Sequence, residues 1–311
     1  MKALVTGCAG FIGSSLTDRL LSEGYAVIGI DRFSDYYSRD IKERNLSSAM
    51  KRPQFSLIEE DIADMEVFPP VDYVFHLAAQ AGVRASWGKN FEIYTRDNIQ
   101  ATQRLLEFYK DLKIKKFVYS SSSSVYGDVE LPMREDQTVQ PVSPYGVSKL
   151  AAEHLCYLYW KNHGVPTVSL RYFTVYGPRQ RPDMGINKFV NAVLRRETIT
   201  VYGDGRQTRD FTYVDDVVEA NVLAATSGVF GETFNIGGGN RINVIDLIRA
   251  IEEVTGKAAL LQYIEEQKGD VRNTRADTTK AEQMLGWQAQ VKIRDGLERY
   301  IGWINNMAEE Q

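Results

Sequence analysis

Tyr145 and Lys149 stand four residues apart in Tyr145-Gly146-Val147-Ser148-Lys149, a spacing that sets a phenol and an ammonium on one face of a helix. A phenol with a pKa of about 10 is a poor base at neutral pH, but a neighbouring cation favours the phenolate and lets it take a proton from a hydroxyl group. The pair alone decides little, because the same spacing is common on amphipathic surface helices. Ser120-Ser121-Ser122-Ser123-Ser124-Val125-Tyr126-Gly127 adds a row of hydroxyls directly after an apolar run. That is the carboxyl end of a strand, where open α/β sheets bind ligands.

Glycines recur every three residues in Thr6-Gly7-Cys8-Ala9-Gly10-Phe11-Ile12-Gly13, between a strand-like run and a helical one. Small residues there allow a tight turn and close approach of the backbone to a pyrophosphate, and the following helix N-terminus favours negative charge. Asp31 closes the next strand-like run, 18 residues beyond Gly13, where a carboxylate accepts hydrogen bonds from an adenosine ribose. Together these features predict a dinucleotide site over Gly7, Gly10, Phe11, Ile12, Gly13 and Asp31. Asp31 repels a 2'-phosphate, so NAD is expected over NADP, with neighbouring Arg32 able to soften that choice. Asp61-Ile62 reads equally as an adenine contact or a helix cap. Leu77, Ala78 and Ala79 close a fourth strand with residues small enough for a cofactor to lie against the backbone.

The elements that carry these groups follow from periodicity. Short apolar runs (Ala3 to Thr6, Ala26 to Ile30, Phe55 to Ile58, Tyr73 to Leu77, Phe117 to Ser121, Thr167 to Arg171) alternate with segments of helical period (Phe11 to Ser22, Thr95 to Leu112, Pro144 to Asn162). Strands apolar on both faces and joined by helices predict an α/β fold built on a Rossmann-type doubly wound parallel sheet. Beyond about Tyr172 the rhythm loosens into short strands at Thr198 to Tyr202 and Arg209 to Thr212, with helices near Val190, Val217, Val244 and Lys280. The expected division is an NAD-binding domain over 1–172, with segments about 213–240 returning to it, and a smaller α/β substrate-binding lobe over 173–311. Asp204-Gly205 and Gly237-Gly238-Gly239-Asn240 read as turns, and the tail after Asn306 as disordered.

A chain of 311 residues, 43% hydrophobic and 25% charged, has ordinary globular composition. Its formal net charge of -4 gives no basic field for nucleic acid or a membrane surface, so an anionic ligand must be met by placed groups. The two cysteines, Cys8 and Cys156, lack metal or disulfide-framework spacing, which points to no metal site and to a reducing cytoplasm. Gly7, Gly10 and Gly13 interrupt the apolar N-terminus too early for a signal peptide, and no run approaches the roughly 18 apolar residues of a membrane span.

The glycine triplet, Asp31, the serine run ending Val125-Tyr126-Gly127, and Tyr145 with Lys149 together resemble the extended short-chain dehydrogenases/reductases over nearly the whole chain. Within them, His76 to Arg84, Arg171-Tyr172-Phe173-Thr174-Val175-Tyr176-Gly177-Pro178, Arg181-Pro182-Asp183-Met184, Asp35-Tyr36-Tyr37 and Gln267-Lys268-Gly269-Asp270-Val271 are similar to the UDP-glucuronate 4-epimerases. Lys268 stands in place of the more usual proline. The resemblance implies that Tyr145 is the base, assisted by Lys149, Ser122 and Ser123, with Ser122 on the sugar's C4 oxygen. It implies that Asn98, Ser120 and Tyr172 join the NAD contacts. It also implies a UDP-sugar held by Arg84, Ser122, Ser123, Ser124, Phe173, Asn187, Val201, Arg209 and Asp270, with Thr174 and Arg181 holding a glucuronate carboxylate, in a homodimer. UDP-glucose and UDP-N-acetylglucosamine 4-epimerases share most of these segments and remain the alternative. Decarboxylases and dehydratases place acidic residues where Ser123 and Ser124 stand here. A silent NAD-binding regulator would not need Tyr145, Lys149 and Ser122.

Overall fold

The computed structural model describes residues 1–265 and 271–309. Its first strand, β1 (Lys2–Thr6), shows why the apolar runs are continuous: Ala3 and Val5 enter one buried cluster and Leu4 another, on opposite faces of a sheet. After β1 come α1 (Phe11–Ser22), β2 (Ala26–Ile30), α2 (Arg39–Leu46), β3 (Phe55–Ile58), β4 (Tyr73–His76), α3 (Phe91–Tyr94), α4 (Ala101–Tyr109), β5 (Lys116–Ser122), α5 (Pro144–His163) and β6 (Thr167–Tyr172). Then follow β7 (Thr174–Tyr176), α6 (Gly185–Arg195), β8 (Thr198–Tyr202), β9 (Thr208–Tyr213), α7 (Val214–Thr226), β10 (Glu232–Ile236), β11 (Asn240–Asn243), α8 (Val244–Thr255), β12 (Leu260–Ile264), α9 (Thr279–Leu285) and α10 (Ile293–Glu309).

Seven strands form one parallel sheet in the order β10-β6-β5-β4-β1-β2-β3. Leu16 and Leu20 of α1 and Val217 and Ala220 of α7 cover one face; Leu105 of α4 and Ala152 of α5 cover the other. Strand order reverses between β1 and β4, so a crevice opens outside their carboxyl ends. Two small sheets, β11-β9-β7 and β12-β8, stand with α6, α8 and α10 beside that crevice.

The register of α5 is fixed at both ends. Ser143 accepts a hydrogen bond from the Gly146 N–H at 3.1 Å and Pro144 occupies the first turn, while Gly164 closes the helix at φ 70°. The predicted helix over Thr95 to Leu112 is broken differently: α3 ends at Tyr94, residues 95–100 are π-helical, and α4 stops at Tyr109. The wide turn brings Asp97 and Asn98 inside, where specific hydrogen bonds offset its poorer backbone geometry. The tail expected to be disordered is helical through Glu309, because Leu297, Tyr300 and Ile301 bury one side of α10. Asn240, read as part of a turn, begins β11. Among the described residues no helix is long and apolar enough to cross a membrane.

Candidate active site

The glycine loop is shaped by close backbone contact. Gly7 has φ 69° and donates its N–H to the Ile30 carbonyl at 2.7 Å. A Cβ on Gly7 would lie 2.9 Å from Ala78, and one on Gly13 only 2.1 Å from the Gly7 oxygen, so neither position admits a side chain without moving backbone. No side chain caps α1 at Gly10, which leaves its first-turn N–H groups for an anion. Asp31 uses one oxygen to accept from Ala9 N–H (3.1 Å) and the other from Phe33 N–H (2.9 Å). Burial pushes its carboxyl above the usual range, and the Phe33 N–H and Lys42 pull it back. Gly7, Gly10, Phe11, Ile12, Gly13, Asp31, Arg32, Asp61, Ile62, Leu77, Ala78, Ala79, Ser120, Tyr145, Lys149 and Tyr172 all line one cleft. A side-chain-free cradle at a helix N-terminus with a carboxylate beyond it fits a dinucleotide.

Arg32 is engaged by carboxylates. It donates to Asp61 at 2.8 Å and to Asp97 at 2.9 and 2.5 Å, while Arg96 donates to the same Asp61 oxygen at 2.8 Å. The other Asp61 oxygen accepts from Ala63 N–H at 2.9 Å, which closes a turn rather than capping a helix, and the side chain stays on the wall of the dinucleotide cleft. A guanidinium already shared by two carboxylates offers little to a 2'-phosphate, which strengthens the expectation of NAD over NADP.

Asn98 is not on the cleft wall. It is 1% exposed, and its amide bonds both backbone groups of Gln80 and the Ser148 hydroxyl, so the expected direct cofactor contact is corrected to an internal brace. Ser148 donates in turn to the Tyr145 carbonyl at 2.8 Å. The brace continues inward: Thr102 donates to the Asn98 carbonyl, leaving its lone pair to His76 Nε2 at 2.9 Å, and Thr6 lies 2.8 Å from Nδ1. His76 is therefore the Nε2–H tautomer, accepting from Thr6. Burial, with a smaller contribution from Lys149, lowers its pKa to about 3. Between that value and the roughly 6.5 of an unfolded histidine the unfolded chain binds more protons, so stability falls as pH falls, by up to about 1.4 kcal/mol per unit. Urea melts should show the wild type losing about 2 kcal/mol from this group between pH 6.5 and 5. His76→Gln should be weaker at pH 7 yet lose less on acidification; parallel pH profiles for the two proteins would refute this.

Tyr145 and Lys149 both face the cleft, as their spacing on one helix implies. Lys149 donates to the Ser120 carbonyl at 2.8 Å and lies 5.1 Å from the Tyr119 ring centroid; burial lowers its pKa to about 7. Burial raises the Tyr145 phenol, while a hydrogen bond with Ser122 and the charge of Arg181 draw it back. Arg181, from the loop before α6, thus adds a second cation whose charge reaches the phenol, beside Lys149 one helical turn along α5. Ser122 accepts from Ser124 N–H at 3.1 Å, which leaves its proton to point at the phenol oxygen.

A second cleft of about 1200 Å³ adjoins the first and is lined by Arg84, Ser123, Ser124, Thr174, Asn187, Val201 and Arg209. That volume suffices for a nucleotide sugar. The Arg84 guanidinium lies 4.5 Å from the Tyr202 ring centroid. Asn187 donates to the Gln180 carbonyl and Tyr300 hydroxyl, and Arg209 to the carbonyls of Thr208 and Arg272. Phe173 is corrected: it is 1% exposed and packs with Val125, Tyr126 and Met133, because the residue between β6 and β7 turns inward as its N–H bonds Ile236. Asp270 lies outside the described residues.

Ser34, Tyr36, Tyr37 and Lys42 also line the dinucleotide cleft, although only the Asp35-Tyr36-Tyr37 triplet carried a signal, as a family mark. Lys42 donates to the Ser34 carbonyl at 2.5 Å and lies 4.8 Å from the Tyr37 ring centroid. Asp97 and Ser121, likewise unforeseen, are on the same wall.

The family model described as GDP-mannose 4,6 dehydratase matches residues 4–300. A UDP-glucuronate 4-epimerase from Thermodesulfobacterium geofontis is 40% identical over 96% of this chain and 95% of its own. A Bacillus subtilis protein, an uncharacterized UDP-glucose epimerase by name, is 42% identical over 99% of both chains. The crystal structure of UDP-glucuronic acid 4-epimerase from Bacillus cereus, in complex with UDP-glucuronic acid and NAD, superposes with a TM-score of 0.94 at 43% identity, covering 99% of this chain and 100% of that one.

Proposed function

The chain belongs to the GDP-mannose 4,6 dehydratase family of extended short-chain dehydrogenases/reductases, and from that premise we propose that it is an NAD-dependent isomerase that inverts C4 of a UDP-sugar, UDP-glucuronate before its neutral relatives. The observation that carries the reading is the meeting of Tyr145, on the wall of the dinucleotide cleft, with Ser122 and the charge of Arg181, on the side where Tyr36 lines both clefts. NAD, when bound, accepts the C4 hydride and returns it. The protein's own part is proton handling and orientation. Ser122 holds the C4 oxygen, and Tyr145 takes the hydroxyl proton as the ketone forms and gives it back when the opposite face is presented. Lys149, lowered to about 7 by burial, gains a proton more readily once a phenolate stands nearby. Thr174 and Arg181 address the C5 carboxylate, which has to be held because a 4-keto acid can lose carbon dioxide. Asp31 accepts from the adenosine ribose.

A cytoplasmic homodimer completes the proposal. Two buried free cysteines fit a reducing compartment, and the half-exposed Tyr157 and Leu158 of α5 offer an apolar face to a second copy. The test is product analysis with purified protein and no added NAD. UDP-glucuronate should be converted to UDP-galacturonate at least tenfold faster than UDP-glucose or UDP-N-acetylglucosamine is epimerised. Equal rates on all three would remove the carboxylate argument, and no turnover of any would remove the function.

A further inference from the structure

Arg181 does not reach the cleft unaided. Its Nε and Nη2 both donate to Asp183, at 2.9 and 3.1 Å, a two-point grip that fixes the plane of the guanidinium. Asp183 also accepts from the Tyr36 hydroxyl at 3.2 Å, and the guanidinium lies 5.8 Å from the Tyr36 ring centroid. Tyr36 comes from the segment after β2, on the dinucleotide side, and lines both clefts. It passes over Gly82, where a Cβ would come within 2.8 Å of its hydroxyl. The three side chains therefore join the two sides of the crevice at the point where Tyr145 stands.

Resting on the UDP-glucuronate reading above, we propose that Asp183, steadied by Tyr36, is the positioning residue that aims Arg181 at the sugar's C5 substituent and so sets the preference for a carboxylate over a hydroxymethyl group. A guanidinium has five N–H donors and Asp183 takes two of them along one edge, so a second carboxylate can be met by the remaining fork. Pinning matters because an arginine side chain otherwise spends rotamer freedom on each encounter. The pairing also tempers the charge that reaches Tyr145, which is faced by Ser122, Arg181, Tyr36 and the edge-on ring of Tyr94, with Lys149 one turn along α5.

The experiment compares wild type, Asp183→Asn and Tyr36→Phe as NAD-loaded enzymes on UDP-glucuronate and UDP-glucose, with kcat and KM measured across pH. Asp183→Asn should lower the ratio of kcat/KM for UDP-glucuronate to that for UDP-glucose at least tenfold, mainly through kcat. Tyr36→Phe should lower it about threefold. In Asp183→Asn the acid limb of the kcat profile should move to lower pH, since Arg181 then faces the phenol with its charge unshared. An unchanged ratio in both variants, or equal losses on both substrates with the limb in place, would overturn the proposal and leave the substrate reading intact. A wild type that turns over UDP-glucose and not UDP-glucuronate would overturn the substrate reading first.

Discussion

Replacing Tyr145 by phenylalanine should lower kcat about 10³-fold while the dinucleotide remains bound, within the range expected when a positioned acid/base is removed. The substitution removes one oxygen and little packing: the ring keeps its edge-to-face contact with Tyr94, at 6.2 Å between centroids. The glycine loop and Asp31, which line the cleft proposed for the dinucleotide, lie on other elements. What disappears is the oxygen that Ser122 bonds and toward which Arg181 directs its charge. The check is paired: NAD released from denatured protein should match wild type mole for mole, and epimerised product should fall to trace. Retention of more than a tenth of the turnover would mean that another group moves the proton, and loss of NAD together with activity would mean that the residue serves the fold.

How much of this could be read beforehand depended on how local the cause is. The glycine triplet, the end of β2 and the four-residue spacing on α5 express backbone sterics and helix geometry, which a short stretch of sequence contains in full. β10, within the segments about 213–240 expected to return to the main sheet, pairs with β6 at its edge. Asn98 and Phe173 were misplaced because burial of one side chain is decided by distant partners, Gln80 and Ser148 in one case and the pocket around Tyr126 in the other. α2 escaped notice because Arg39 to Leu46 carries hardly any apolar side chains; the helix is tied down instead by bonds such as Lys42 to Ser34 and Asn45 to the Ala9 carbonyl. β12 is exposed along its whole length and shows no alternation. That the charge of Arg181 also reaches the phenol was hidden for the same reason, because spacing along a helix reports which face a group shares and not what comes to meet it from a loop.

The largest stability effect should come from a pair that sequence alone could not join. Glu153 of α5 and Arg171 of β6 are 7% and 6% exposed at their side chains, bonded at 3.0 Å through Nε and 2.5 Å through Nη2. Ser121 donates to the same carboxylate at 2.7 Å, and the guanidinium carbon lies 4.7 Å from the Tyr126 ring centroid. Glu153→Ala strands a desolvated cation, so the expected loss is about 3–5 kcal/mol in urea unfolding. Glu153→Leu with Arg171→Met removes both charges and should recover most of that loss, because two ions taken out of water together are little better than well-packed apolar groups. The single change should also release Ser121 at the cleft wall and slacken the seat of α5, so kcat should fall before the protein melts. A loss below 1 kcal/mol for Glu153→Ala would mean that water reaches Arg171 from behind the sheet. In that event the rigidity attributed to the catalytic helix would have to come from the Asn98 and Ser148 brace alone.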